Sequence, residues 1–126
     1  MNKVFVYGTL KSGGEVRGLD SFGGSTIVGK AKTTYPDYEM SDLGAFPGVF
    51  LNGKFHIEGE VWEVDDETMD QLDAIEGYPD FYSRQLTHTT QGKAWMYFLD
   101  AKSYKDYVGV RGNQVIEDGD TLRWQR

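Results

Sequence analysis

The segment "KAWMYFL", Lys93–Leu99, constrains the fold more than any other stretch. Ala94, Met96 and Phe98 alternate with Trp95, Tyr97 and Leu99. Successive side chains of a strand point to opposite faces, so this strand is apolar on both and is expected to be buried on both sides. Tyr82–Thr90 precedes it across Gln91-Gly92, which reads as a hairpin connection. A chain of 126 residues can enclose such a strand in one core, and one domain spanning 1–126 is expected. Folding at this size hides roughly two-thirds of the surface that the unfolded chain exposes. No disulfide or metal is needed to hold such a core. The sequence has no cysteine, which excludes thiol catalysis and Cys-ligated zinc.

Other strands are legible along the chain. Val4-Phe5-Val6-Tyr7 reads as a central strand that breaks at Gly8. Ile27–Thr34 is a second, interrupted at Gly29, and Tyr35–Met40 a third, disturbed at Pro36. Ile57–Val64 places Ile57, Gly59 and Val61 on one face. Val115-Ile116 and Leu122–Trp124 give short pieces around Gly119. Pro47-Gly48 and Asn52-Gly53 are turn signals, and the latter, between Phe50-Leu51 and Phe55, predicts a type I′ hairpin. Ser12–Gly24 reads as a loop, with the shape of a lip over a pocket. Sixteen glycines and 14% aromatic residues fit short strands and tight turns.

One segment departs from this pattern: "DDETMDQLDAIEGYP", Asp65–Pro79. Asp65 or Asp66 suits an N-cap, and Glu67 adds negative charge to the first turn. Met69, Leu72 and Ile75 have the apolar spacing of one helical face. Gly77 suits the residue after the helix, and Pro79 blocks continuation. A helix over about Glu67–Glu76 is predicted. The fold class is therefore α+β: a small mixed β-barrel with one clear helix (67–76) packed against it. Glu76, four residues after Leu72, shares the helix's apolar face and lies at the negative end of the dipole. Desolvation and dipole both raise a carboxylate's pKa, as a general acid/base near neutral pH requires. Two simpler outcomes stand beside that one. The helix could fray before Glu76, or Glu76 could pair with Arg84. Asp73 is a second acid nearby, and Asp70 faces away.

Several function classes are excluded or unsupported. A net charge of −7 and the absence of any basic block argue against nucleic acid. No apolar run approaches the roughly 20 residues of a membrane span. Met1 leads directly into a strand with no signal peptide, so a cytoplasmic protein is expected. Gly8 and Gly13 have P-loop spacing, but Gly14-Glu15 stand where Lys and Ser or Thr belong. His56 and His88 have no spaced partners, and Glu117-Asp118-Gly119-Asp120 is too short for a calcium loop. No G-x-S-x-G elbow is present. No metal and no cofactor are expected.

Two motifs together resemble the gamma-glutamylcyclotransferase-like superfamily. "VFVYGTLKSGG" is similar to its first signature, an apolar strand followed by Tyr-Gly-Thr/Ser-Leu. "LDAIEGYPDFYSR" is similar to its second, Leu-Asp followed by a catalytic Glu-Gly and then Tyr-x-Arg. Here those residues are Leu72-Asp73, Glu76-Gly77 and Tyr82-Ser83-Arg84. "FPGVF", "IEGEVWEV" and "EDGDTLRW" extend the resemblance over nearly the whole chain. The length and the Tyr-Gly-Thr-Leu-Lys form look most like the gamma-glutamylamine cyclotransferase branch.

The resemblance implies a small barrel and an enzyme that releases 5-oxoproline from a small gamma-glutamyl compound. Glu76 would be the catalytic base and acid. Tyr7, Gly8, Thr9 and Leu10 would offer backbone N–H groups to the glutamyl oxygens, Gly8 permitting close approach, and Tyr82 would line the pocket. Because the substrate's own amine attacks, no protein nucleophile is needed. Arg84 is given no catalytic role, and a monomer is expected. Many family members carry Asn-His after the loop glycine where this chain has Glu15-Val16-Arg17. That departure motivates a different class of function, a non-catalytic binding module for an acidic metabolite or a protein partner.

Overall fold

The computed structural model describes residues 1–8, 19 and 22–125. Nine strands and one helix occur among them, in the order β1 (Asn2–Val6), β2 (Ser25–Lys32), β3 (Tyr38–Asp42), β4 (Pro47–Leu51), β5 (His56–Val64), α1 (Asp66–Glu76), β6 (Ser83–Thr89), β7 (Gly92–Phe98), β8 (Val115–Asp118) and β9 (Thr121–Trp124).

β5 is the hub. It pairs antiparallel with β1, antiparallel with β2, and parallel with β9 through His56 and Ile57. β1 meets β7 in parallel at Val4 and Trp95, and β7 turns back on β6 across the Gly92 hairpin. The sheet then curls until Thr33, just past β2, bridges Thr89 at the end of β6. Thr34 N–H donates to the His88 carbonyl at 2.9 Å, and Thr90 N–H to that of Lys32 at 3.0 Å. The result is a curled half-barrel. β3 and β4 form a separate pair. It is fastened to the rest where Tyr38 bridges Phe55 and where Leu99 N–H donates to Val49 O at 2.8 Å.

The two faces of β7 enter two different cores, as its alternation predicts. Ala94 and Met96 join Phe5, Tyr7, Ile57 and Val61 inside the curl. Trp95, Tyr97 and Leu99 join Val4, Val6 and Trp62 on the other face, where Met69 and Leu72 of α1 pack. Gly59 interrupts the inner face of β5 for a steric reason: a Cβ there would lie 2.3 Å from the Val6 carbonyl oxygen.

α1 begins one residue before the predicted position. Asp65 caps it, accepting the Thr68 N–H at 2.8 Å, and Gly77 ends it in the left-handed region at φ 65°. Its buried face differs in one residue from the expected one. Thr68, Met69 and Leu72 are buried, but Ile75 is 59% exposed. At 100° per residue Ile75 lies at the edge of that stripe, and Glu76, not Ile75, continues it.

Three expectations in the β region are corrected. Pro47-Gly48 is not a turn but the start of β4, Pro47 opposing Asp42. A proline is tolerated at the first residue of a strand. Gly48 belongs there because a Cβ would meet Leu99 Cδ1 at 2.5 Å. Asn52-Gly53 forms no type I′ hairpin. Asn52 has φ 64°, but Gly53 is not in the positive region. The flanking residues do not pair with each other, since Leu51 and Phe55 both face Tyr38. The third strand runs over Tyr38–Asp42, beyond the predicted Tyr35–Met40. Gly29, by contrast, sits at the expected irregularity, where the β2 register shifts between Ile27 and Gly29. Most of Ser12–Gly24 lies outside the described residues.

Candidate active site

Glu76 occupies the last turn of α1, and the chain folds back on it at once. Phe81 N–H donates to Gly77 O at 2.7 Å, and Tyr82 N–H to Glu76 O at 3.3 Å. These bonds bring Tyr82 beside the helix end. Glu76 does not pair with Arg84, and among the described residues its carboxylate takes part in no ion pair. Burial alone pushes its pKa up from 4.5 to about 7. The helix neither frays before this residue nor turns it fully into water.

Three phenols surround that carboxyl closely enough for its charge to act on them. Tyr7, Tyr82 and Tyr97 all have pKa values raised above the ordinary phenol range, first by burial and then in part by the charge of Glu76. All three therefore remain protonated donors at neutral pH. Each proton already has an acceptor. Tyr7 OH donates to Tyr97 O at 2.8 Å, Tyr82 OH to Pro47 O at 2.7 Å, and Tyr97 OH to Asp73 Oδ1 at 2.7 Å. The Tyr82 hydroxyl can then offer a ligand its oxygen lone pairs, not its proton.

Gly8 answers to a neighbour within the protein. A Cβ at this position would lie 2.9 Å from Pro47 Cγ and 3.1 Å from Pro47 Cδ. Pro47 thus sits between Gly8 and the Tyr82 hydroxyl and ties the end of β1 to the Glu76 loop. Of the residues that the sequence singled out, Tyr7, Gly8, Glu76 and Tyr82 are brought together. Thr9 and Leu10 lie outside the described residues.

Residues that the sequence reading did not use complete the surroundings. Tyr82 packs against Phe46, Phe81 and Tyr97 with centroids 6.5, 4.9 and 6.5 Å away. Phe81 also stands edge-on to Phe46 and Tyr104. Tyr97 carried a usable signal: a phenol on an otherwise apolar face needs a polar partner, and the nearby acid is Asp73. A groove of about 580 Å³ is lined by Asp42, Leu43, Asp106, Tyr107 and Gln114 and includes none of the residues around Glu76. Among the described residues, no three His, Asp or Glu side chains gather to hold a metal ion. No helix among them is long and apolar enough to cross a membrane.

The chain as a whole is similar to known proteins. A family profile described as "Gamma-glutamyl cyclotransferase, AIG2-like" matches residues 4–126. The chain belongs to this family. A Vibrio cholerae relative, provisionally named a gamma-glutamylcyclotransferase, is 40% identical over 117 residues, covering 93% of this chain and 92% of its own. The Escherichia coli gamma-glutamylcyclotransferase family protein YtfP is 32% identical over 124 residues, covering 95% and 96%. The crystal structure of an AIG2-like protein from Mus musculus superposes with a TM-score of 0.68 at 28% identity, over 78% of this chain and 76% of that one. The family, read from the two motifs, and the α+β fold, read from the strand pattern and the helix segment, are thereby established for this gamma-glutamylcyclotransferase-like chain.

Proposed function

We propose that the chain is a cyclotransferase that cleaves a gamma-glutamyl amine or peptide and releases 5-oxoproline and a free amine, with Glu76 carrying the protons. The observation that supports this reading is a carboxyl raised to a pKa of about 7 by burial, without a counter-ion among the described residues, whose charge reaches three neutral phenols. A binding module has little use for a carboxylate withheld from water in this way.

In this reading the glutamyl α-ammonium enters beside Glu76, and the Tyr82 oxygen accepts one of its N–H bonds. Glu76, ionised, takes one proton. The freed amine attacks the γ-carbonyl, a C–N bond closes the five-membered ring, and the oxygen becomes an oxyanion. Protonated Glu76 then gives its proton to the leaving nitrogen. The old C–N bond breaks and the carbonyl re-forms. Glu76, ionised again, takes the second proton from the ring nitrogen and passes it to the departing amine, so the balance is one neutral lactam and one ammonium. A group with a pKa near the working pH can do both transfers. The backbone amides at Gly8, Thr9 and Leu10 would bind the glutamyl carboxylate or the oxyanion. Because the attack is intramolecular, orientation supplies much of the acceleration, up to roughly 7–11 kcal/mol in well-aligned cases.

The test is release of 5-oxoproline from gamma-glutamyl-lysine, a gamma-glutamyl dipeptide and glutathione, with folded Glu76→Gln run in parallel. Turnover that disappears in the variant supports the reading, and the preferred compound identifies the leaving amine. Equal turnover by the variant would overturn it.

A further inference from the structure

Asp73 lies three residues before Glu76 on α1, so the two carboxylates share one side of the helix. Asp73 is fully engaged where Glu76 is not. Its carboxylate accepts Arg84 Nε at 2.9 Å, Arg84 Nη2 at 3.2 Å and the Tyr97 hydroxyl at 2.7 Å. The Arg84 guanidinium is held between the rings of Tyr78 and Trp95, at 4.6 and 4.3 Å from their centroids. Both partners of the pair are largely shielded, with side chains 17% and 19% exposed. The backbone joins in, since Tyr78 N–H donates to Asp73 O at 2.9 Å just past the end of the helix.

Tyr97 links this cluster to the rest of the site. It stands opposite Arg84 in the β6–β7 register. Its hydroxyl reaches Asp73, and its backbone carbonyl receives the Tyr7 hydroxyl at 2.8 Å. A single residue of β7 therefore joins the last turn of the helix to the end of β1. Among the described residues, the titratable or charged groups around Glu76 are Tyr7 from β1, Tyr82 before β6, Tyr97 from β7 and Asp73 from α1, with Arg84 of β6 behind Asp73. The phenols stay neutral, so the charged groups left near Glu76 are Asp73 and Arg84, and their pairing with each other leaves burial as the cause of the Glu76 shift.

We propose that Asp73, Arg84 and Tyr97 form a clamp that positions Glu76 for proton transfer, with Arg84 cancelling the Asp73 charge one helical turn away. The clamp rests on the reading of Glu76 as proton carrier, but its electrostatic half can be measured without turnover. Removing the cation leaves the Asp73 charge uncompensated on the same side of the helix and favours protonated Glu76. Removing the Asp73 charge leaves a cation nearby and favours ionised Glu76. The two changes therefore act in opposite directions, which a merely structural role would not produce.

The experiment is a ¹³C NMR titration of the Glu76 carboxyl in the unmutated protein, Asp73→Asn, Arg84→Met and the double variant, with pH profiles of kcat/KM alongside. The expected midpoint rises by about 0.5–1 unit in Arg84→Met and falls by a similar amount in Asp73→Asn, the range that one charge at this separation gives at a partly solvated site. The double variant returns close to the unmutated value. Arg84→Lys keeps the charge but loses the two-pronged grip, so the midpoint holds while kcat falls about tenfold. Tyr97→Phe lowers kcat with KM little changed. If Arg84→Met does not fold, the Asp73→Asn midpoint and the Arg84→Lys split decide the matter. Midpoints that stay fixed, or move in the same direction in both single variants, overturn the clamp. Opposite shifts in a protein without turnover would leave the electrostatic half of the clamp standing and remove the cyclotransferase reading.

Discussion

Two regions of this molecule are built from the same parts and end in opposite states. At the far end of β3, Arg111 donates to the Glu39 carboxylate, to Met40 O at 3.1 Å and to Glu117 Oε1 at 3.4 Å, and lies 5.2 Å from the centre of the Phe55 ring. At the end of α1, Arg84 grips Asp73 between two rings while Glu76 stands nearby. Each region has one arginine, two acids and aromatic faces. The difference lies in the second acid. Glu117 is bonded to its arginine and 52% exposed, so water and the cation share its charge. Among the described residues Glu76 has no cation partner, its access to water is partial, and its pKa moves to about 7. Solvation and pairing, not the number of acids, turn one cluster into a brace and the other into a candidate proton carrier.

The comparison can be broken at either cluster. Glu76→Gln is expected to lower kcat by about 10²–10⁴-fold, the usual range for a lost general acid/base, with an unchanged circular dichroism spectrum. Arg111→Met is expected to cost about 1–3 kcal/mol, because it strands the shielded Glu39 carboxylate. A thermal melt would show a Tm several degrees lower, with no change in the pH profile of activity.

A smaller effect follows from linkage at Glu76. Its folded pKa of about 7 exceeds the ordinary 4.5, so the folded state holds a proton that the unfolded chain releases between those values. The contribution is complete below about pH 4.5 and lost as pH rises through about 7. Glu76→Gln should therefore be more stable than the unmutated protein at pH 8, by on the order of 1–2 kcal/mol after discounting for partial exposure, and no more stable at pH 4. Melts at the two pH values check the sign. Smallest of all, Glu117→Gln should change stability by less than about 0.5 kcal/mol and leave turnover alone, as expected of an exposed carboxylate.

What the sequence disclosed, and what it concealed, divides along the range of the interactions. The helix was legible because caps and the 3.6-residue period are local, and Asp65, Leu72 and Gly77 each carry part of that signal. The two cores were legible in the alternation of β7, and the family in its paired motifs. The role of Pro47 was not, because strand or turn there depends on Leu99 packing on Gly48, about fifty residues away in the chain. Asn52-Gly53 has local turn chemistry, but Tyr38 captures both flanks. Whether Arg84 would hold Asp73 or Glu76 depended on the β6–β7 register, which places Tyr97 opposite Arg84. For the same reason the nearness of Gly8 to a proline could not be read from the loop itself.

The placement of β1 has a consequence for how the site is made. Its two partners are residues 60–64 of β5 and Trp95 of β7, both far downstream. During synthesis the Tyr7–Gly8 segment leaves the ribosome long before either partner exists. Strand pairings this distant in the chain close slowly, because a long loop must be ordered first. Tyr7 gains an acceptor for its hydroxyl only when Tyr97 has emerged. A nascent chain halted before β7 could carry α1 and still lack the Tyr97 that links the last turn of the helix to the end of β1.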